Sequence, residues 1–320
     1  MSRIVSFGPA TQNIYLLDHT NLTATKIGEE AIFAELTAGS TINVEKISYE
    51  VGGSSVNSAI EFARHGHEVI TLANIAKDPA GIAVINALNR EDIDTSYLNI
   101  VNKKATGTAV ILLDQKTHKK VTLNSTGASD DFSNIDPNDL ELIQPDWLYV
   151  ATANGDMHTL LKLFEKAKSL STKIMFNPGP YELQQTKRLI GLLEDVDILY
   201  VNKTEAATLV PGAILSELID HLKNYVETVI ITDGSMGGIA TNGTESYRFG
   251  IYEDVPVKDT TGSGDAFGAG FLAHFAAGKS FRSSLVYASA NATSIVTKVG
   301  TTKGLLTGTE PLHPMLIQKI

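Results

Sequence analysis

The chain has 320 residues, of which 43% are apolar, and this is enough to bury a large core in one domain. Its formal net charge of −10 argues against nucleic acid as a partner, because binding a phosphate backbone needs a basic surface. The absence of cysteine excludes disulfides, thiol catalysis and cysteine-ligated zinc, and it agrees with a reducing compartment. With no run near ~18 apolar residues and no signal-peptide core, we expect a cytoplasmic protein that does not enter membranes.

Short apolar runs alternate with helical patterns along most of the chain. Strands are predicted at Ile4–Phe7, Val69–Ala73, Trp147–Ala151, Ile174–Phe176, Ile198–Val201 and Val229–Thr232. Helices are predicted at Ser55–His65, Ala80–Asn89, Met157–Leu170, Leu183–Leu193, Ala213–Tyr225, Asp265–Ala277 and Ser283–Thr297. This alternation is typical of β-α-β units, so we expect an α/β fold whose mainly parallel sheet is covered on both faces.

Two segments, at about 14–50 and 97–125, interrupt the alternation and are richer in Thr, Asn and Lys. Their extended patches are Thr41–Ser48, Thr108–Leu113 and Lys120–Asn124. We predict that both segments form a small β-structure, a lid, that stands off the main sheet of a single domain spanning 1–320. A lid excludes water from a group in transfer.

The first polar motif, Gly52-Gly53-Ser54-Ser55-Val56-Asn57, opens a predicted helix. Paired glycines let a polyol or a ribose approach the backbone, and the Asn57 amide can donate to and accept from hydroxyls. A Gly-Gly turn with a serine N-cap explains the same residues structurally. The motif is therefore either a substrate contact or a capped helix start.

The second motif, Asn202-Lys203-Thr204-Glu205, directly follows a predicted strand, where open α/β sheets bind their ligands. An amide and a carboxylate three residues apart on a first helical turn share a face and can hold a hydrated Mg²⁺. The spacing is equally that of a capping box, which is the commoner explanation of such a pair alone.

A third motif, Thr232-Asp233-Gly234-Ser235-Met236-Gly237-Gly238, again follows a predicted strand. Its hydroxyl and glycine amides suit contacts with nucleotide phosphates. Taken singly, the segment also predicts a hairpin turn into Ile239–Thr241.

The most informative segment is 259–271, Asp-Thr-Thr-Gly-Ser-Gly-Asp-Ala-Phe-Gly-Ala-Gly-Phe. It predicts a turn that opens into a helix, where the amides of Gly262, Ser263 and Gly264 would lack partners and could bind phosphate or a developing oxyanion. Asp265 would repel phosphate there unless its role is to take a proton. The alternative is a capped helix whose glycines only pack closely. A dinucleotide fingerprint is excluded, because Phe267 stands at its third glycine position.

Together these motifs resemble the ribokinase-like (PfkB-type) family of carbohydrate and nucleoside kinases, and the resemblance covers nearly the whole chain. It implies a three-layer α/β/α sandwich with a small β lid. It also implies an enzyme that uses ATP and Mg²⁺, with K⁺ as a further candidate cofactor and a homodimer formed through the lids as a candidate assembly.

The resemblance also implies roles for individual residues. Asp265 would be the general base, and the amides of Gly262, Ser263 and Gly264 would form the anion hole. The other implied sites are Asn202 and Glu205 for Mg²⁺ through water, Thr232, Gly234 and Gly237 for the nucleotide phosphates, Asn291 near the adenine, Asp259 and Thr261 for a monovalent cation, and Asn13, Gly52, Gly53 and Asn57 for substrate.

Three positions depart from the family pattern. Ser263 stands where alanine is common, and no loss follows because the anion hole is built from backbone. Asn13 stands where sugar kinases usually carry an aspartate that binds substrate hydroxyls, and Ser54 replaces the lysine frequent in ribokinases. These changes weaken the expectation about which substrate the enzyme uses.

The first hypothesis is an ATP-dependent kinase acting on a primary hydroxyl of a ribose-like or fructose-like sugar. The second is a nucleoside kinase of the same mechanism, in which Phe33, Tyr49 or Tyr97 of the lid would stack on a base. The third is a catalytically silent regulator that binds sugar or nucleotide, against which the intact motifs argue.

Overall fold

The structure is a computed structural model that describes residues 1–17, 39, 41, 43–114 and 118–320, and the backbone alone of 24–27 and 30–33. Its strands are β1 (Arg3–Phe7), β2 (Thr11–Leu17), β3 (Ala24–Ile27), β4 (Glu30–Phe33), β5 (Lys46–Gly52), β6 (Glu68–Leu72), β7 (Asn74–Ile75), β8 (Asn99–Ile100), β9 (Gly107–Leu113), β10 (Lys120–Ser125), β11 (Trp147–Val150), β12 (Lys173–Phe176), β13 (Ile198–Asn202), β14 (Thr228–Thr232), β15 (Gly238–Thr241), β16 (Ser246–Phe249) and β17 (Ile317–Lys319). Its helices are α1 (Ser54–Arg64), α2 (Pro79–Arg90), α3 (Asp139–Ile143), α4 (Met157–Ser169), α5 (Pro180–Leu183), α6 (Thr186–Leu192), α7 (Lys203–Leu209), α8 (Leu215–Leu222), α9 (Ser263–Ala276) and α10 (Phe281–Val296).

The main sheet, across the described residues, has the strand order β17-β16-β15-β14-β13-β12-β11-β1-β6. From β6 to β14 the neighbouring strands are parallel, and these six strands are the ones that the alternation of apolar runs predicts. Strands β15, β16 and β17 extend this sheet in antiparallel order. The prediction of a mainly parallel sheet is therefore confirmed.

Helices cover both faces of the main sheet. One apolar core contains side chains from α4, α6, α7 and α8, including Leu160, Phe164, Leu189, Ala206 and Leu218. The other contains side chains from α1, α9 and α10, including Val56, Phe62, Phe267, Phe271 and Leu285. This confirms the three-layer α/β/α sandwich. No helix in the described ranges is long and apolar enough to cross a membrane.

A separate four-stranded sheet corresponds to the predicted lid. Its order is β10-β9-β2-β5, with β2 and β9 parallel and the other pairs antiparallel. The sheet begins at Thr11, before the predicted segment 14–50, and the expected patch Thr41–Ser48 is replaced by β5. Much of 18–42, and with it the side chain of Phe33, lies outside the described residues.

Local structure differs from the prediction where tertiary contacts decide it. The helix predicted at Leu183–Leu193 is found as α6, which begins three residues later, and Leu183 is instead the last residue of the short helix α5. The buried carboxylate of Glu182, in the first turn of α5, accepts hydrogen bonds from the amides of Ala153 and Gly155, both at 2.8 Å, and so ties α5 to the loop that follows β11. Tertiary bonds of this kind leave no periodic signal in the sequence.

A group of buried and partly buried polar and aromatic side chains lies between α1, α9 and α10. The Glu61 carboxylate lies 3.3 Å from Nε2 of His65 and accepts a hydrogen bond from the Tyr287 hydroxyl at 3.2 Å. The His274 ring stacks on that of Tyr287, with centroids 4.9 Å apart. Burial, reinforced by the charges of His65 and Lys279, lowers the pKa of His274 to about 4. His274 is therefore neutral in the folded protein at neutral pH.

We expect acid to destabilise the fold through His274. Because its folded pKa lies below the unfolded value of about 6.5, the unfolded chain binds the proton more tightly, and stability falls as the pH drops from about 6.5 towards 4. His274→Phe keeps an aromatic ring and removes this titration, so its urea midpoint should fall less on acidification than that of the wild type. The control is His158→Phe at an exposed position of α4. Equal acid slopes for wild type and His274→Phe would contradict this assignment.

Candidate active site

Three predicted motifs meet at the carboxyl edge of the main sheet. Asn202 ends β13, Thr232 ends the neighbouring β14, and the two residues are paired in register. Helix α9 begins beside them, since a Cβ added to Gly264 would lie 3.8 Å from the hydroxyl of Tyr200 on β13. Ligands of α/β sheets bind at this edge.

The turn at 259–264 ends in a left-handed glycine. Gly262 has φ +81° and is the N-cap of α9, a conformation that suits glycine. In the part of the chain that the structure describes, the amides of Gly262 and Gly264 have no hydrogen-bond partner, whereas the Ser263 amide donates to the Thr260 carbonyl at 3.3 Å. Two of the three expected anion-hole amides are thus unpaired at the positive end of a helix dipole, and Ser263 departs from the expectation.

Asp265 lies in the first turn of α9 and contacts α1. Nδ2 of Asn57 donates to its Oδ2 at 2.7 Å, which joins two residues 208 positions apart that belong to separate motifs. Burial raises the pKa of Asp265, and hydrogen bonds from Asn57 and Ser54 act in the opposite direction. A carboxylate with a raised pKa beside amide donors is suited to accept a proton from a hydroxyl.

Asn202 and Glu205 form a reciprocal capping box at the start of α7. Oδ1 of Asn202 accepts from the Glu205 amide at 3.0 Å, and Oε2 of Glu205 accepts from the Asn202 amide at 2.8 Å. Burial raises the pKa of Glu205. The structural alternative for this pair is therefore confirmed.

One carboxylate oxygen of this pair could still contact a hydrated Mg²⁺. The box engages Oε2 of Glu205, so Oε1 is the oxygen that would accept from a metal-bound water. Within the described ranges no three His, Cys, Asp or Glu side chains are grouped to hold a metal. Phosphate oxygens and water are the further ligands that Mg²⁺ prefers in sites of this kind.

The segment 232–238 is a hairpin between β14 and β15, with Thr232 opposite Gly238. Gly237 has φ +78°, and a Cβ there would overlap the carbonyl oxygen of Phe249, so a side chain does not fit. The hairpin alternative is confirmed. The hairpin also borders a cavity, so the two interpretations of this motif are compatible.

This cavity, of about 260 Å³, joins the hairpin to the start of α9. Its polar lining includes Thr232, Gly234, Gly237, Ser263 and Gly264. Its largely apolar lining includes Phe249, Ile251, Tyr252, Val255, Val257, Phe267, Ala292, Thr293 and Val296. Residues of two separate motifs thus share one cavity that combines phosphate-binding backbone with an apolar wall suited to a flat ring.

Asn13 and the glycine pair lie where the lid sheet meets α1. A Cβ at Gly52 would overlap the side-chain amide of Asn13. Gly53, with φ +85°, is the N-cap of α1 and packs closely against neighbouring backbone. Because α1 carries Asn57, this turn connects the lid to the partner of Asp265. The expected substrate residues therefore form one group adjoining Asp265.

Asp259 and Thr261 bind a lysine of the lid. Oδ1 of Asp259 accepts from the Thr261 amide at 2.9 Å and from its hydroxyl at 2.6 Å. Nζ of Lys120, the first residue of β10, lies 3.0 Å from the same oxygen and also donates to the Thr261 hydroxyl. Oδ1 of the carboxylate thus already has a cationic partner, where the resemblance implies a monovalent metal ion, and Oδ2 is buried without a hydrogen-bond partner among the described residues.

Asn291 has a packing role in place of the expected adenine contact. It is fully buried; its Nδ2 donates to the Ala266 carbonyl at 2.8 Å, and its Oδ1 accepts from the Leu306 amide at 2.8 Å. Both polar atoms are thereby satisfied within the protein. The next residues, Ala292 and Thr293, are the ones that line the cavity.

The motifs did not identify Lys120 or the apolar lining of the cavity. Lys120 is 139 positions from Asp259 and lies in a patch assigned to the lid by composition alone. Phe249 and Phe267, whose rings stack with centroids 5.4 Å apart, look like ordinary core residues in the sequence. Only the folded chain shows what either set contacts.

Phosphoryl transfer to a hydroxyl requires amide donors that stabilise the transferred charge and a carboxylate that takes the proton. The site combines both groups, so the fold and the site together define a small-molecule kinase. A family model described as pfkB family carbohydrate kinase matches residues 12–307, and the chain belongs to that family. The expected enzyme class, an ATP-dependent carbohydrate kinase, is confirmed.

Individual relatives differ in the acceptor that their names give. The chain is 29% identical over 289 residues to a ribokinase of Haemophilus influenzae, covering 86% of this chain and 90% of that protein. It is 26% identical over 250 residues to a nucleoside kinase of Methanocaldococcus jannaschii, covering 78% and 80%. A solved structure from E. coli, provisionally named ribokinase II and in complex with ATP and Mg²⁺, shares the fold with a TM-score of 0.78 at 20% identity over 96% of each chain. These comparisons support a sugar or nucleoside kinase without defining one substrate.

Proposed function

We propose that this chain transfers the γ-phosphoryl group of ATP to a primary hydroxyl of a small ribose-like or fructose-like sugar. The observation that carries the proposal is that Thr232, Gly237 and Gly264, the last of which directly precedes Asp265, line one shared cavity. A nucleotide bound there would direct its phosphates towards the start of α9. The Haemophilus ribokinase supports the acceptor class, and the E. coli complex supports ATP and Mg²⁺.

In the proposed step, Asp265 takes the proton of the acceptor hydroxyl while that oxygen attacks the γ-phosphorus in line. A new P–O bond forms, the bond from the γ-phosphorus to the bridging oxygen breaks, and ADP leaves. The unpaired amides of Gly262 and Gly264 would stabilise charge on the transferred group. When bound, Mg²⁺ would neutralise phosphate charge, with Asn202 and Glu205 as its contacts through water.

The placement of Tyr49 and Tyr97 supports a sugar over a nucleoside as acceptor. Tyr49 is paired with Ile14 and therefore projects from the opposite face of the lid sheet to Asn13. Tyr97 packs against the core. Asn13 retains the donor and the acceptor needed by sugar hydroxyls. A nucleoside kinase is the second candidate, and the Methanocaldococcus relative supports it.

The outer face of the lid sheet supports the homodimer expected from the resemblance. Tyr49, Ile14, Val110 and Leu123 form one row across the four strands, and Tyr49 and Leu123 are 64% and 57% exposed. An exposed apolar row of this kind suits an interface. The homodimer and a cytoplasmic location both stay predictions.

The acceptor is tested by measuring ADP release from Mg-ATP across ribose, fructose, other small sugars and nucleosides. We expect turnover with a ribose-like or fructose-like sugar. Turnover confined to nucleosides would replace the first proposal with the second. ATP binding without turnover on any acceptor would favour a silent regulator.

Asp265→Asn is expected to lower kcat on the best acceptor by a factor of roughly 10²–10⁴, because the base is lost while the shape of the side chain is kept. The affinity of the Asp265→Asn variant for Mg-ATP, measured by calorimetry, should stay close to that of the wild type. Asp220→Asn, at an exposed position on α8, serves as the control. Full turnover by Asp265→Asn would refute its role as base.

Asn57→Leu is expected to change the pH dependence of kcat. Loss of the hydrogen bond at 2.7 Å removes a contact that lowers the pKa of Asp265, so that pKa rises further. The acidic limb of the pH profile should therefore move to higher pH. Asn86→Leu, exposed on α2, is the matched control. An acidic limb unchanged in Asn57→Leu would show that this contact does not govern the base.

A further inference from the structure

The contact of Lys120 with the 259–264 turn has the composition of a cation site. The Asp259 side chain is fully buried, that of Lys120 is 27% exposed, and the ammonium contacts both Oδ1 of Asp259 and the Thr261 hydroxyl. Thr261 directly precedes Gly262, whose amide is part of the anion hole. A unit positive charge is thus fixed on the segment that leads into the anion hole.

Charge balance at this position is already complete. Burial alone would raise the pKa of Asp259, but hydrogen bonds from Thr261 and the charge of Lys120 hold it below its usual range, so the carboxylate is ionised. The neighbouring Tyr15 hydroxyl is neutral, because burial and the charge of Asp259 raise its pKa. Glu50, the other carboxylate near Tyr15, is paired with Lys303. A metal cation added beside Asp259 would therefore meet an ammonium with no remaining negative charge to offset it.

We propose that the Lys120 ammonium takes the place of a monovalent metal ion in this kinase, ordering the 259–264 turn without K⁺. An ammonium is a compact charge with three donors, and two of them are engaged by Asp259 and Thr261. Lys120 is a positioning residue, because it acts on the anion hole through the turn and does not touch the reacting atoms.

The position of Lys120 has a second consequence. It begins β10, which pairs with β9, and β9 pairs with the strand β2 that carries Asn13. The cation therefore comes from the lid, on the side that supplies the proposed substrate contacts. A free metal ion would order the turn equally well with the lid in any position, whereas Lys120 orders it only when the lid sheet is in place.

The test compares wild type with Lys120→Met, which removes the charge and keeps an unbranched side chain, and with Lys119→Met, an exposed neighbour, as the matched control. We expect the wild-type kcat to be the same in K⁺, Na⁺ and choline salts at equal ionic strength. Lys120→Met should lose roughly 10–100-fold in kcat with a smaller change in KM for ATP, and added K⁺ or NH₄⁺ should restore part of it. Lys119→Met should behave as the wild type.

This inference rests on the proposed function. A second measurement, which does not depend on turnover, therefore tests the cation assignment separately. K⁺ should raise the thermal midpoint of Lys120→Met by about 2 °C or more relative to choline, and leave those of wild type and Lys119→Met unchanged. A K⁺-dependent midpoint or severalfold K⁺ activation in the wild type would overturn the inference, and so would a Lys120→Met variant that does not respond to K⁺. Absence of turnover on every acceptor, with the expected midpoints, would refute the proposed function and leave the cation assignment supported.

Discussion

The left-handed turn at Gly262 is the constraint on which the site depends. It ends the 259–261 segment and begins α9, so that the amides of Gly262 and Gly264 remain unpaired among the described residues and Asp265 falls in the first helical turn. A residue with a side chain would cost roughly 1–2 kcal/mol in this conformation, and its Cβ would lie only 3.1 Å from that of Thr301. Further along α9, a Cβ at Gly268 would lie 2.8 Å from the Tyr149 hydroxyl. Glycine thus sets both the start of α9 and its depth against the sheet.

The lid and the sandwich are joined at this turn by short polar contacts. The Thr301 hydroxyl donates to the Val51 carbonyl at 3.0 Å, and Lys303 pairs with Glu50, so the loop beside Gly262 contacts β5. On the other side, Lys120 of β10 contacts the turn itself. The proposed anion hole is therefore bounded by groups from the lid and from the sandwich. Contacts from both parts of the fold explain how residues spread over most of the chain define one small site.

The sequence predicts the sandwich and the central motifs well, because both have local signals. Apolar runs mark the six parallel strands, and the glycine spacing at 262–264 marks a helix start that can bind an anion. Long-range pairing has no such signal: Lys120 and Asp259 are 139 residues apart, and the buried carboxylate of Glu182 binds the amide of Ala153, 29 residues earlier in the chain. Asn291 shows the opposite error, since the resemblance implies a ligand contact where the folded chain satisfies both amide atoms internally.

The proposed nucleotide site of this acidic protein would depend on a local positive potential. No lysine or arginine is among the described residues that line the cavity, and nearby Lys203 is paired with Asp233 at 3.2 Å. Phosphate charge would therefore be balanced by backbone amides, the α9 dipole and Mg²⁺.

In this setting the burial of Asp265 has a further effect. A phosphoryl group placed beside a carboxylate whose pKa is already raised would raise that pKa again, because like charges disfavour the ionised form. Asp265 would then be the strongest base when the donor is bound, which is when the acceptor hydroxyl must lose its proton.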